Sequence, residues 1–219
     1  MLLGVGGDVR TALRETARGA ELGAAGVMVH HPSHPYLCEN GLIQYYTAIA
    51  SATGGAVVPY VRGTGLSTAV LDHLASLGNV VGVKWAVPDA LAFEVVASRY
   101  GSTLVPICGL AEYWAPFFWL SGAQGFTSGL VNVVPKLSRA MLDALRVNDY
   151  ARAMELWRTV EPFERLRSRN ANGNNVPTVK EALEALGLMS GAVRPPLAAL
   201  GRSDRAELDR ILPTLRAWL

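Results

Sequence analysis

Lysine is the scarcest charged residue in this chain: of 20 basic residues only Lys84, Lys136 and Lys180 are lysine, leaving 17 arginines. Where only a positive charge was needed, arginine was used, so a lysine inside an apolar run calls for its own explanation. Cysteine is nearly absent too. Cys38 and Cys108 stand alone, without metal-ligand spacing and without the pattern of a secreted disulfide framework, so a reducing cytoplasm is the expected location. No apolar run approaches the roughly 20 residues of a membrane span. The start, MLLGVGGDVR, is too short and glycine-rich for a signal peptide. A formal charge of +2, with acids and bases interspersed, makes no basic stripe, which argues against nucleic acid and anionic membranes as partners. Small-molecule chemistry fits better.

What is present is apolar and regular. With 219 residues, 50% of them hydrophobic, the chain can bury one sizeable core of the α/β class. Short β-branched runs alternate with amphipathic Ala/Leu/Arg/Glu stretches at the spacing of βα units around a parallel sheet. The expected strands are 2–7, 26–30, 56–61, 80–85, 103–109 and 125–131. From Pro135 onward the pattern is helical: Pro135 to Val147, Asp149 to Arg169, a helix closed by Gly187, and a last one capped by Ser203, with loops at 170–177 and 192–197. This reads as a (β/α)8 barrel of the TIM type, reduced to about six strands, with a C-terminal helical extension. Residues 1–134 form the partial barrel; residues 135–219 hold its final helix and the extension as one structural unit. An open doubly wound sheet is the alternative, but GVGGD near the start lacks the full spacing of a dinucleotide-binding turn.

Lys84 ends the run VVGVKW. An ammonium there can snorkel to solvent, which is the plainer account of a strand-end lysine. Shielded from water, it can instead lose its proton and become a nucleophilic amine. Alternation along the strand turns Gly82 and Lys84 inward, with Gly82 leaving room beside the amine, and Val81, Val83 and Trp85 outward. Tyr60 ends the preceding strand in AVVPYV, on the face where barrel enzymes gather catalytic groups. Arg62 follows it, and a guanidinium can pair a carboxylate at two points.

Lys84 in VVGVKWAVPD, Tyr60 in AVVPYVRGTG, the segment GAQGFTSGLVNVVP and the tail NNVPTVKEALEALGLMSGAVRPPLAAL together resemble the dihydrodipicolinate synthase / N-acetylneuraminate lyase family, over almost the whole chain. The resemblance implies a lyase without a separate cofactor. Lys84 would form a Schiff base with pyruvate or a related 2-oxo acid, and Tyr60 would relay protons. Arg62, Gly109, Thr127, Ser128, Gly129, His31 and Tyr36 would line the substrate site. It also implies a small-molecule 2-oxo acid as partner and a homotetramer or dimer. A dihydrodipicolinate synthase-like condensation and an aldolase or dehydratase acting on a deoxy-keto sugar acid are both open.

Departures from the family pattern qualify this. VRGTG is shorter than the usual loop after the tyrosine, and Trp85 replaces the acidic residue common after the lysine. Met1 falls where the third strand of the family barrel begins, so the first two βα units and their carboxylate-holding loop are expected to be missing. That leaves a second reading, a catalytically impaired remnant that binds a small oxo acid or a sister subunit. A third is a metal-dependent lyase using His30, His31 and His34 in HHPSH.

Overall fold

A computed structural model describes residues 1–219. Its elements follow the alternation in the sequence: β1 (Leu2–Val5), α1 (Val9–Glu21), β2 (Gly26–His30), α2 (Glu39–Ser51), β3 (Ala56–Val61), α3 (Thr68–Ser76), β4 (Gly82–Trp85), α4 (Ala90–Tyr100), β5 (Val105–Cys108), α5 (Ala111–Leu120) and β6 (Gly125–Phe126). Four helices close the chain, α6 (Pro135–Arg146), α7 (Tyr150–Asn172), α8 (Asn175–Ala185) and α9 (Arg202–Arg216). The α/β architecture of the barrel type, with C-terminal helices, is therefore present. No helix is long and apolar enough to cross a membrane.

The chain divides into two compact units, Met1–Gly109 with Leu120–Gln124, and Leu110–Trp119 with Gly125–Leu219. In the first, β1 to β5 pair in chain order, each parallel to the next. Their buried valines, Val27, Val29, Val57, Val61 and Val83, make the near-continuous apolar strands expected of a covered parallel sheet. Local capping sets the helix starts: Asp8 accepts from Arg10 and Thr11 N–H, Ser67 from Val70, and Asp89 from Ala92. Along α1 the buried positions Ala12, Thr16 and Gly19 recur at helical spacing and turn one face inward.

The second unit packs α6 to α9 around Leu137, Met141, Leu156, Phe163, Leu208 and Leu215. Here the structure corrects three expectations. The sixth strand is extended only over Gly125–Phe126, because Val131 N–H turns back to Ser128 Oγ at 2.9 Å and residues Leu130–Asn132 form a 3-10 turn. The expected loop 170–177 is shorter. The path of α7 breaks at Asn170 and Ala171, whose φ values of 54° and 52° are left-handed, and α8 starts already at Asn175. The last helix is capped by Gly201, not Ser203: Arg205 N–H reaches Gly201 O at 2.9 Å. Gly187 closes α8 as expected, at φ 71° with its N–H on Glu184 O.

Candidate active site

Register places the lysine. Tyr60 of β3 is the cross-strand partner of Lys84 of β4, and His30 of β2 is the partner of Tyr60. Partners in a parallel sheet project to the same face, so His30, Tyr60 and Lys84 form one row near the C-terminal ends of three consecutive strands. That row decides what the amine meets. Lys84 is only 8% exposed, and its Nζ lies 3.7 Å from the centre of the Tyr60 ring. A cation over an aromatic face is attracted by the ring quadrupole, but that is far weaker than hydration by bulk water.

Burial first, and the nearby Arg62 guanidinium second, accordingly pull the Lys84 pKa down from 10.5 to about 8, with Cys108 opposing. No carboxylate acts on it. At pH 7 a pKa of about 8 leaves roughly a tenth of the amine unprotonated, against roughly one part in three thousand for an ordinary lysine. Arg62 is itself exposed, its guanidinium 5.8 Å from the Tyr60 ring centre, so a second cation stands beside the same ring. An amine so placed, with an aromatic ring and a second positive charge close by, is chemically able to act as a nucleophile.

Gly82 does not make room for the amine. A side chain there would meet Val105 O at 2.8 Å, so the glycine serves the close approach of β5 to β4.

The other candidates divide. Gly109 donates its N–H to Trp85 O at 2.7 Å, and a Cβ on it would press on Ala86 and Trp85, so it packs the end of β5 against the end of β4. His31 donates its backbone N–H to Tyr60 O, but its ring follows alternation away from the row, with Nδ1 buried and unpartnered. Tyr36 is 86% exposed, its backbone N–H bonded to His34 Nδ1. Tyr36 and His34 border a separate cavity of about 330 Å³ with Asp8, Cys38 and Tyr45. The three histidines of HHPSH do not converge, and no three His, Cys, Asp or Glu side chains are arranged to hold a metal. The metal-dependent reading has no ligand set.

Thr127, Ser128 and Gly129 lie in the second unit, half-buried. Ser128 is not a free hydroxyl: it donates to Glu112 Oε1 at 2.5 Å and accepts from Val131 N–H. Ser138 donates to the same Glu112 oxygen. Beside them Arg167 Nη1 bonds both Glu164 oxygens, at 2.6 and 2.8 Å, and a Cβ on Gly129 would meet Arg167 Nη2 at 2.3 Å. Burial pushes Glu112 upward, against the pull of the two serines, and lifts Glu164 to about 7, against the pull of Arg167. Sequence reasoning missed Glu112 and Glu164, which look like ordinary helix-surface acids. It also missed His30 as a neighbour of the amine. The signal for His30 was available, since His30, Tyr60 and Lys84 each stand at the end of a successive strand.

The dihydrodipicolinate synthetase family model matches residues 1–215. The chain belongs to that family. Its similarity to 4-hydroxy-tetrahydrodipicolinate synthase 1 of Streptomyces coelicolor is 33% identity over 214 residues, 95% of this chain and 68% of the relative. To a probable 5-dehydro-4-deoxyglucarate dehydratase of Rhizobium rhizogenes it is 31% identical, over 93% of this chain and 69% of the relative. Among solved structures, dihydrodipicolinate synthase from Oceanobacillus iheyensis superposes with a TM-score of 0.93 at 41% identity, covering 98% of this chain and 72% of that one. As a member of the dihydrodipicolinate synthetase family, with relatives of both kinds, the chain is a lyase of the Schiff-base type.

Proposed function

We propose that Lys84 is the nucleophile of this lyase, that its substrate is pyruvate or a related 2-oxo acid, and that Tyr60 relays protons while Arg62 takes a carboxylate. One observation carries the reading: an amine buried over an aromatic ring, beside a second cation and without a carboxylate partner, its pKa about 8. A lysine kept only for its charge would have a partner or water.

The free amine attacks the keto carbon, forming a C–N bond, and one proton passes from the nitrogen to the former carbonyl oxygen to give a neutral carbinolamine. The Tyr60 phenol then protonates the hydroxyl, water leaves as the nitrogen lone pair closes the protonated imine, and the phenolate recovers its proton from the adjacent carbon. The protonated imine then draws electrons from the adjacent carbon. Once that carbon loses a proton it can attack an aldehyde, or a hydroxyl one carbon further on can depart. The same first step therefore serves the condensation and the dehydration named among the relatives. No separate cofactor is needed for it. A homodimer or homotetramer in the cytoplasm belongs to the same reading, supported by the resemblance, and sedimentation analysis of the purified chain checks the assembly.

Borohydride reduction in the presence of pyruvate, followed by intact-mass and peptide analysis, tests the proposal. The expected result is one reduced adduct on Lys84, unchanged by a chelator. A chain that gains no adduct with pyruvate or with longer 2-oxo acids is a binding remnant of its family and not an enzyme of this kind.

A further inference from the structure

One polar side chain on the face of the amine has no task in the steps above. His30 closes β2, its ring centre 5.1 Å from that of Tyr60 with the planes at 59°. His73 engages Thr47 Oγ1 through Nε2 at 2.7 Å; the ring of His30 makes no hydrogen bond within the chain. The neighbouring strand leaves it clear. A Cβ on Gly4 would stand 3.4 Å from His30 Nε2, and one on Gly6 only 3.0 Å from its Cβ, so two glycines in and after β1 give the imidazole a seat against bare backbone.

Burial, Lys84 and Arg62 all favour the neutral ring, with Glu15 opposing. A neutral imidazole offers one N–H donor and one acceptor lone pair, which matches a hydroxyl group; the carboxylate is better served by Arg62. Distance narrows the ligand further. The ring distances from Tyr60 to Lys84 Nζ and to His30 put the imidazole centre within about 9 Å of the amine. One C–N bond, a four-bond carbon chain and a hydrogen bond together span about 9 Å, enough to bridge the largest separation those distances allow, whereas pyruvate carries no hydroxyl to offer the ring.

We propose that His30 is a specificity-determining residue that contacts the hydroxyl-bearing far end of a five- or six-carbon 2-oxo acid whose keto carbon is bound to Lys84. The proposal rests on the Lys84 reading, and the test separates the two. The concentration giving half-maximal borohydride-trapped adduct is measured on the full chain for pyruvate and for 2-dehydro-3-deoxygluconate, a six-carbon 2-oxo acid with hydroxyls beyond C3. His30→Phe keeps a ring against Tyr60 but removes both nitrogens. It is expected to raise the half-saturation for the six-carbon acid at least tenfold while that for pyruvate stays within twofold. His30→Asn, which restores a donor and an acceptor, recovers part of the loss. Where His30→Phe does not fold, shown by a lost circular-dichroism signal and thermal transition, His30→Leu takes its place.

Equal shifts for both probes, or none, overturn the role of His30, as does wild-type protein that traps pyruvate but not the longer acid. Wild-type protein that traps neither overturns the Lys84 reading and this proposal with it.

Discussion

Two sets of buried ionisable groups in the molecule are treated oppositely. In the first unit Lys84 has an aromatic face, another cation and no acid. In the second, Glu164 has Arg167 on both oxygens, and Glu112 receives two serine hydroxyls on one oxygen. Two carboxyls face one guanidinium there, and burial raises both while Arg167 pulls them down. Partnered charges in a core hold neighbouring segments in register; here they fix the turn from Ser128 to Val131. An unpartnered charge does the reverse, costing stability while leaving its reactive form accessible. On the proposed reading of Lys84, that contrast separates a structural ion cluster from a chemical one.

The sharpest way to break the comparison is to remove the amine. Lys84→Met fills similar volume with an apolar chain, and adduct formation and turnover should fall at least about a thousandfold, as when a covalent nucleophile is lost. Folding should be intact or improved, which thermal denaturation at pH 7 checks. The converse applies to the other cluster. Arg167→Ala strands Glu164 in the core and should cost about 3–5 kcal/mol by denaturant titration, while joint replacement by Glu164→Leu and Arg167→Met should recover most of it. If removing Lys84 proved as destabilising as removing Arg167, the distinction would fail.

A smaller effect is expected from Tyr60→Phe. The ring that meets the amine is kept and only the hydroxyl is lost, so imine formation should slow by about a hundredfold, within the usual range for a general acid–base group. The bound adduct should still form at long times. Time-resolved trapping distinguishes this slow arrival from the complete loss expected of Lys84→Met.

Much of this was legible in the sequence, and the parts that were not share a cause. The strands GVMVH and AVVPYV were readable to the residue because their ends coincide with turn residues. The amine was readable because lysine is rare and this one closes an apolar run. GFTSGLV misled: its composition suits a strand, but the hydroxyl of Ser128 captures Val131 N–H and ends the extension after Phe126. The histidines misled for a similar reason. Adjacent residues His30 and His31 differ in which faces the lysine, and only the register of β2 against β3 decides it. Glu112 and Glu164 are invisible as a cluster because their partners are tens of residues away along the chain or on a helix face that sequence alone shows as solvated.

The smallest expected effects concern pH, and they test whether the amine is held as described. Adduct formation with pyruvate should rise as the pH climbs to about 8 and level off beyond it, following the unprotonated fraction of Lys84. Arg62→Gln removes a cation that lowers this pKa, so the midpoint should move up toward 10.5 and the rate at pH 7 should drop by a few-fold. Stability must carry the same signature with a definite sign. The unfolded chain keeps an ordinary lysine near 10.5, so between about 8 and 10.5 it holds a proton that the folded chain has shed, and the contribution of Lys84 to stability rises with pH across that window. Below about 8 the folded state carries the whole cost of the buried ammonium. The gain in Tm from Lys84→Met should therefore be greatest at pH 6 to 7 and shrink as the pH approaches 10.5. A gain that stayed constant over that range would mean that the amine is hydrated in the folded protein, and the nucleophile would have to be sought elsewhere.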